Sequence, residues 1–172
     1  VVLKNLTSLA CVYMLGLSCG IWSKEEVIAW CDKVIEVKDF PPYEIIEVSL
    51  MSNAKVDDIE GKLHEFCQRR EDDHSVMILL GVLYEKIKRD QIGIEQATRC
   101  STRLLVQSGL YIEEEYYNLY GIDDSLDLAK NGVYGDLDDV ETAYFEEISV
   151  FGNYFVEFNQ MYVTEIHEDW VS

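Results

Sequence analysis

Apolar residues in this chain recur at intervals of three and four, and that spacing constrains the fold more than any other feature. Val140, Tyr144, Ile148, Phe151, Phe155 and Phe158 step by 4, 4, 3, 4 and 3. Only an α-helix brings such positions onto one face. Val76, Leu79, Leu80, Leu83 and Ile87 make another stripe, and Ile94, Ala97, Ser101, Leu104 and Leu105 a third. Val27, Trp30, Cys31 and Val34 follow Ser23, with Glu26 three residues beyond it, which is a capping-box pattern. Val56, Ile59, Leu63 and Phe66 share a further face.

The two prolines, Pro41 and Pro42, are adjacent and mark one boundary. Proline suits a first helical turn, so Tyr43 to Ser52 reads as a short helix with Ile45, Ile46, Ser49 and Leu50 inward. A strand is the competing assignment there, because Ile45, Ile46 and Val48 are β-branched. An apolar helix reaching Gly20 and restarting at Ser23 is echoed by one reaching Arg89 and restarting past Gly93. These units predict stacked antiparallel pairs. The expectation is an all-α, single-domain helical bundle over residues 1–172, with seven or eight helices. The stripe from Val140 to Phe158 is expected to kink or end at Gly152 and Asn153. The residues beyond Gln160 are expected to fray.

A chain of 172 residues can bury roughly 70% of its unfolded surface, and 48% apolar content supports a core without staples. Five cysteines, Cys11, Cys19, Cys31, Cys67 and Cys100, form no C-x-x-C pair. They read as buried or free thiols of a reducing compartment. Residues 5–22 are largely apolar, but Lys4 is the sole charge before them and Gly16, Ser18, Cys19 and Gly20 interrupt them. That pattern predicts a core helix of a cytoplasmic protein, with no membrane span.

The charge is unevenly distributed. Residues 104–172 hold sixteen Asp and Glu against one basic residue, Lys130, while the whole chain carries −19. A field of this sign repels phosphate, which disfavours nucleic acid despite Arg69, Arg70, Lys86, Lys88, Arg89, Arg99 and Arg103. Those residues are expected to pair with acids across the helices, some of them in the acidic third.

Chemistry finds little support. His64, Cys67, His74 and Cys31 lack zinc-module spacing. Glu71-x-x-His74 occurs once, where a di-iron bundle needs two such motifs. Glu71, Asp72 and Asp73 read instead as an acidic helix start. Asp123, Asp124 and Asp127 fail the calcium-loop register, as do Asp136, Asp138 and Asp139, and helix capping is the expectation for both groups. No nucleophile elbow or phosphate-binding glycine loop is present. No catalytic residue, metal or cofactor is therefore expected.

What remains is binding. Glu113, Glu114, Glu115, Tyr116, Tyr117, Tyr120, Asp123, Asp124 and Asp127 place three tyrosines between two acidic clusters. Tyrosine is a common interface anchor, and carboxylates around it steer a basic partner. The alternative reading is that one or two of the rings are core: at helical spacing Tyr116, Leu119 and Tyr120 share a face while Tyr117 points elsewhere.

The adjacent tyrosines among carboxylates resemble the small acidic helical immunity proteins of bacterial toxin systems, notably those that neutralise DNase colicins. The similarity covers about a dozen of the 172 residues and is one of design. It implies a cytoplasmic bacterial protein that inhibits a basic toxin stoichiometrically, with the acidic surface occluding a cationic active site. Two other classes fit the same composition: a helical scaffold or adaptor, and a metal-dependent all-α enzyme using carboxylates.

Overall fold

The computed structural model describes residues 4–67 and 73–170. Val1, Arg69, Arg70, Glu71 and Asp72 lie outside the described residues. The fold is all-α. Among the described residues there are nine α-helices and no strand. They are α1 (Lys4–Cys19), α2 (Lys24–Val37), α3 (Tyr43–Ser49), α4 (Val56–Cys67), α5 (Asp73–Lys88), α6 (Ile94–Ser108), α7 (Tyr117–Lys130), α8 (Leu137–Ser149) and α9 (Gly152–Ile166). Two short 3₁₀ turns, Leu110–Ile112 and Glu114–Tyr116, connect α6 to α7.

Helix ends follow local chemistry. Ser23 caps α2 with a complete capping box: its hydroxyl accepts from Glu26 N at 3.1 Å, and Glu26 accepts from Ser23 N at 3.0 Å. A cap of this kind is worth about 1 kcal/mol. The echo between the two helix–turn–helix units is a shared terminator. Gly20 (φ 85°) closes α1 with Ile21 N donating to Gly16 O, five residues back. Asp90 (φ 56°) closes α5 with Gln91 N donating to Lys86 O, again five back. In both, the next N-cap, Ser23 or Gly93, stands three residues after the left-handed residue. This is the Schellman arrangement, which satisfies carbonyls that the helix end leaves open.

The segment after Pro42 is a helix, not a strand. Seven residues suffice because Ile45 and Val48 are buried, while Leu50 falls just past its end and is 80% exposed.

The described residues cluster into two compact units. One comprises those up to Ser75 together with those from Val156, and the other runs Val76–Phe155. Residue 104, where the charge changes, lies inside α6 and within the second unit, so the charge step is not a boundary between units.

In the first unit, α1 packs chiefly against α4, and α3 packs against α2 and α4. Its core is rich in aromatic rings. Tyr13 is stacked between Trp22 and Trp30 at centroid distances of 4.7 and 4.5 Å, and Phe158 meets Trp22 at 5.8 Å. The described residues past Gln160, up to Trp170, do not fray. The helix continues to Ile166, and Trp170 is buried with its N–H donating to Asn159 Oδ1 at 2.8 Å. Glu165 is buried and ion-paired with Lys38.

In the second unit, α7 packs against α6 and α8. Tyr144 is fully buried and donates to Ser101 Oγ at 3.1 Å, and Ser101 donates to Thr98 O at 3.0 Å. The stripe from Val140 onward is cut into two helices at Val150 and Phe151, which raises the helix number above the expected seven or eight. The reason is a close approach. A Cβ on Gly81 of α5 would lie 2.6 Å from Phe151 O and 2.7 Å from Phe155 N, and one on Gly152 would lie 3.2 Å from the Tyr84 ring. Only glycines let the α5 backbone and the α8–α9 turn come this near.

All five cysteines are free thiols, four of them buried. Burial pushes the Cys31 thiol up to about 12, which leaves it inert at neutral pH. Among the described residues no helix is long and apolar enough to cross a membrane.

Candidate partner-binding surface

The tyrosine-acid segment belongs to the second unit and begins where α6 stops. Gly109 adopts the left-handed conformation (φ 73°), and its N–H closes the last turn on Leu105 O and Val106 O. The chain then winds through the two 3₁₀ turns, with Glu113 extended between them. Two side chains pin this stretch. Leu110 is buried, and Tyr116 is 2% exposed with its ring stacked on Phe151 at 6.0 Å. Pinning alternate points of a tight turn forces the residues between them outward.

The expected site residues divide accordingly. Tyr116 is a core residue, so its ring is withdrawn from any partner; the cause is its stacking under the α8–α9 turn. Glu113, Glu114 and Glu115 are exposed. Tyr117, the first residue of α7, is 69% exposed. Tyr120 is half-buried, and its ring meets that of Tyr111 at 5.4 Å. Tyr111 and Ile112, which the sequence did not single out, join them: Ile112 is 71% exposed. The signal that could have found them is the placement of Gly109, which ends the helical register before them.

Within α7, Leu119, Ile122 and Leu126 face the core. Tyr117, Tyr120, Asp124 and Asp127 step by 3, 4 and 3 along the outward side, so rings and carboxylates lie along one stripe. Asp123 is half-buried beside them. Its carboxyl is raised above the usual range, first by burial and then by the charges of Asp127 and Asp124. The three aspartates lie well inside α7, so the capping expected of them does not occur. Asp136 does cap α8, accepting from Asp139 N at 3.2 Å.

The lone cation of the acidic third does not offset this surface. Lys130 is bound to Glu95 at 2.7 Å, and Glu95 also takes Arg99, its neighbour four residues along α6. Lys88, the last residue of α5, and Arg89, just past its end, pair with Glu85 of that helix at 3.5 and 2.9 Å. Lys88, Arg89 and Arg99 thus each have an acid three or four residues away, and Arg99 also lies close enough to Asp123 of the acidic third to favour its charged form. Spacings of three and four place partners within reach without ordering a second element.

Among the described residues no three His, Cys, Asp or Glu side chains are grouped so as to hold a metal ion. No protein-family model, curated protein or solved structure matches the chain.

Proposed function

We propose that this chain is an immunity or antitoxin protein that binds and neutralises a cationic bacterial toxin, a basic nuclease being the activity such a surface suits best. The observation that carries the proposal is the exposed Tyr117 beside the Tyr111–Tyr120 ring pair and Ile112, bordered by exposed Glu113, Glu114, Glu115, Asp124 and Asp127. Apolar area for affinity stands inside a negative rim for steering, which is the usual anatomy of an interface. The partner surface is Glu113, Glu114, Glu115, Tyr117, Tyr120, Asp124 and Asp127, extended by Tyr111 and Ile112, with Tyr116 as its internal support. Inhibition is stoichiometric: carboxylates neutralise the cationic groups that a nuclease uses on phosphate, and the rings exclude water from the contact. The protein is cytoplasmic in this scheme, where its toxin would otherwise act.

The test is affinity capture from a producing cell, followed by binding of the recovered basic protein at increasing salt. Raising salt from about 0.1 M to about 1 M shortens the Debye length from about 10 Å to about 3 Å, so affinity should fall steeply. Reversal of Glu113, Glu114 and Glu115 to Lys should weaken binding further. Tyr117→Ala should cost about 2 kcal/mol or more, roughly thirtyfold. Binding that ignores both salt and the charge reversal would sink the proposal.

A further inference from the structure

Three sulfur-bearing side chains meet where α1 and α4 pack together in the first unit. Cys11 and Met14 stand three residues apart on α1 and so share one face of it. Cys67 is the last residue of α4. Its thiol donates to Met14 Sδ at 3.7 Å, and the Cys11 thiol donates to Cys67 O at 3.8 Å. Met14 and Cys67 are buried, at 6% and 4% exposure, while Cys11 is half-buried and gives the cluster an edge toward solvent.

The spacing suits one metal ion. Two sulfurs bound to the same ion through bonds of about 2.3 Å lie about 3.8–4.0 Å apart at tetrahedral or trigonal angles. The 3.7 Å between Cys67 and Met14 is already close to that, so neither side chain has to leave its place in the core. Cys11 supplies the third bond by giving up its contact to the Cys67 carbonyl, which costs little because a thiol is a weak donor. The donor set then selects the metal. Thiolate and thioether are soft ligands, and together they favour Cu(I) over harder divalent ions. A structural zinc site asks for four ligands, and among the described residues no third His, Cys, Asp or Glu joins the two cysteines to hold an ion.

From this we infer that Cys11, Met14 and Cys67 bind a single Cu(I) ion through their three sulfur atoms. The two thiols release their protons to solvent as the ion enters, so one monovalent cation meets two thiolates and a neutral thioether. The charge of the chain, −19, favours the approach of a cation. The bound ion ties α1 to the end of α4. An unfolded chain does not hold the three sulfurs together, so binding stabilises the native state.

The experiment titrates the full chain with Cu(I) held by bicinchoninate, under oxygen-free conditions with ascorbate as reductant. The coloured bicinchoninate complex fades as the ion passes to the protein. The expected result is one ion withdrawn per chain, three sulfur ligands counted by X-ray absorption at the copper edge, and a melting temperature that rises with Cu(I). Met14→Leu keeps the core volume, and Cys11→Ser changes a half-buried position. Each should weaken Cu(I) binding by about tenfold or more, since even outer-shell partners of a metal are worth about 10–100-fold. Cys19→Ala, Cys31→Ala and Cys100→Ala, made one at a time, should keep the parent's affinity. No withdrawal of Cu(I), or withdrawal by Met14→Leu and Cys11→Ser as strong as the parent's, overturns the inference. The cluster shares no residue with the acidic surface, so the outcome is separate from that of the toxin-binding test.

Discussion

Replacing Gly81 by alanine should destabilise the protein, although alanine is the better helix former. In an exposed helix interior the exchange gains roughly 0.8–1.0 kcal/mol from backbone entropy. At Gly81 the new methyl would stand 2.6 Å from Phe151 O and 2.7 Å from Phe155 N. Both atoms are backbone, so no side-chain rotation relieves the contact, and the α8–α9 turn has to move. Overpacking of this kind costs about 1–3 kcal/mol. Because the contact is to rigid atoms on two residues, the upper part of that range applies, and the net loss is about 1–2 kcal/mol. Gly121→Ala is the matched control: it lies inside α7, is exposed, and its added methyl meets nothing within 4 Å. It should gain the propensity term, roughly 0.5–1 kcal/mol. Urea unfolding followed by far-ultraviolet circular dichroism measures both, with midpoints moving in opposite directions by a few tenths of a molar unit or more. Equal shifts for the two variants would refute the argument that close backbone approach divides α8 from α9.

Lys38→Met should leave the Glu165 carboxylate buried without its ion-pair partner; because Lys38 keeps about a quarter of its side chain exposed (26%), the loss should be about 1–3 kcal/mol. Adding Glu165→Gln should recover part of it, and additive losses in denaturant melts would argue against the pairing. Asp123 titrates above its unfolded value of about 3.9. The native state therefore holds more protons through the interval between the unfolded and folded values, and stability falls as pH rises across it. The penalty is full above the folded value and absent below the unfolded one, so Asp123→Asn should raise the melting temperature at neutral pH and converge with the parent in acid. An unchanged difference across that interval would contradict the assigned burial and repulsion.

Much of the fold was legible in the residues. The stripes of Val27 to Val34 and Val76 to Ile87 are helices, and Ser23 with Glu26 forms the capping box that its spacing announced. The signals behind these features act within one helical turn, so a sequence displays them directly. The division of the stripe at Phe151 was only half visible. Gly152 marked a weak point, but Gly81, seventy residues earlier in the chain, supplies the approach that fixes the break. The C-terminal docking was invisible for the same reason. Nothing near Trp170 reveals that Asn159 will receive its N–H or that Trp22 and Phe158 will meet its ring.

The candidate surface divides along the same line. Periodicity separated Tyr116 from Tyr117, and tertiary packing chose between them: Phe151 covers one ring and leaves the other at the surface. Tyr111 and Ile112 joined the surface because Gly109 ends α6 before them and the turns that follow obey no helical register.

By itself, the sequence determined the all-α class, the capped start of α2, and the concentration of negative charge after residue 104, because each is a matter of composition or of contacts within about one helical turn. The tertiary structure alone decided which acids and rings stand together at the surface. It also decided that Tyr13, Trp22, Trp30, Tyr162 and Trp170 pack beside one another in the first unit. Those residues are up to 157 positions apart, from Tyr13 to Trp170, and burial of apolar area, which has no direction along the chain, is what brings them together.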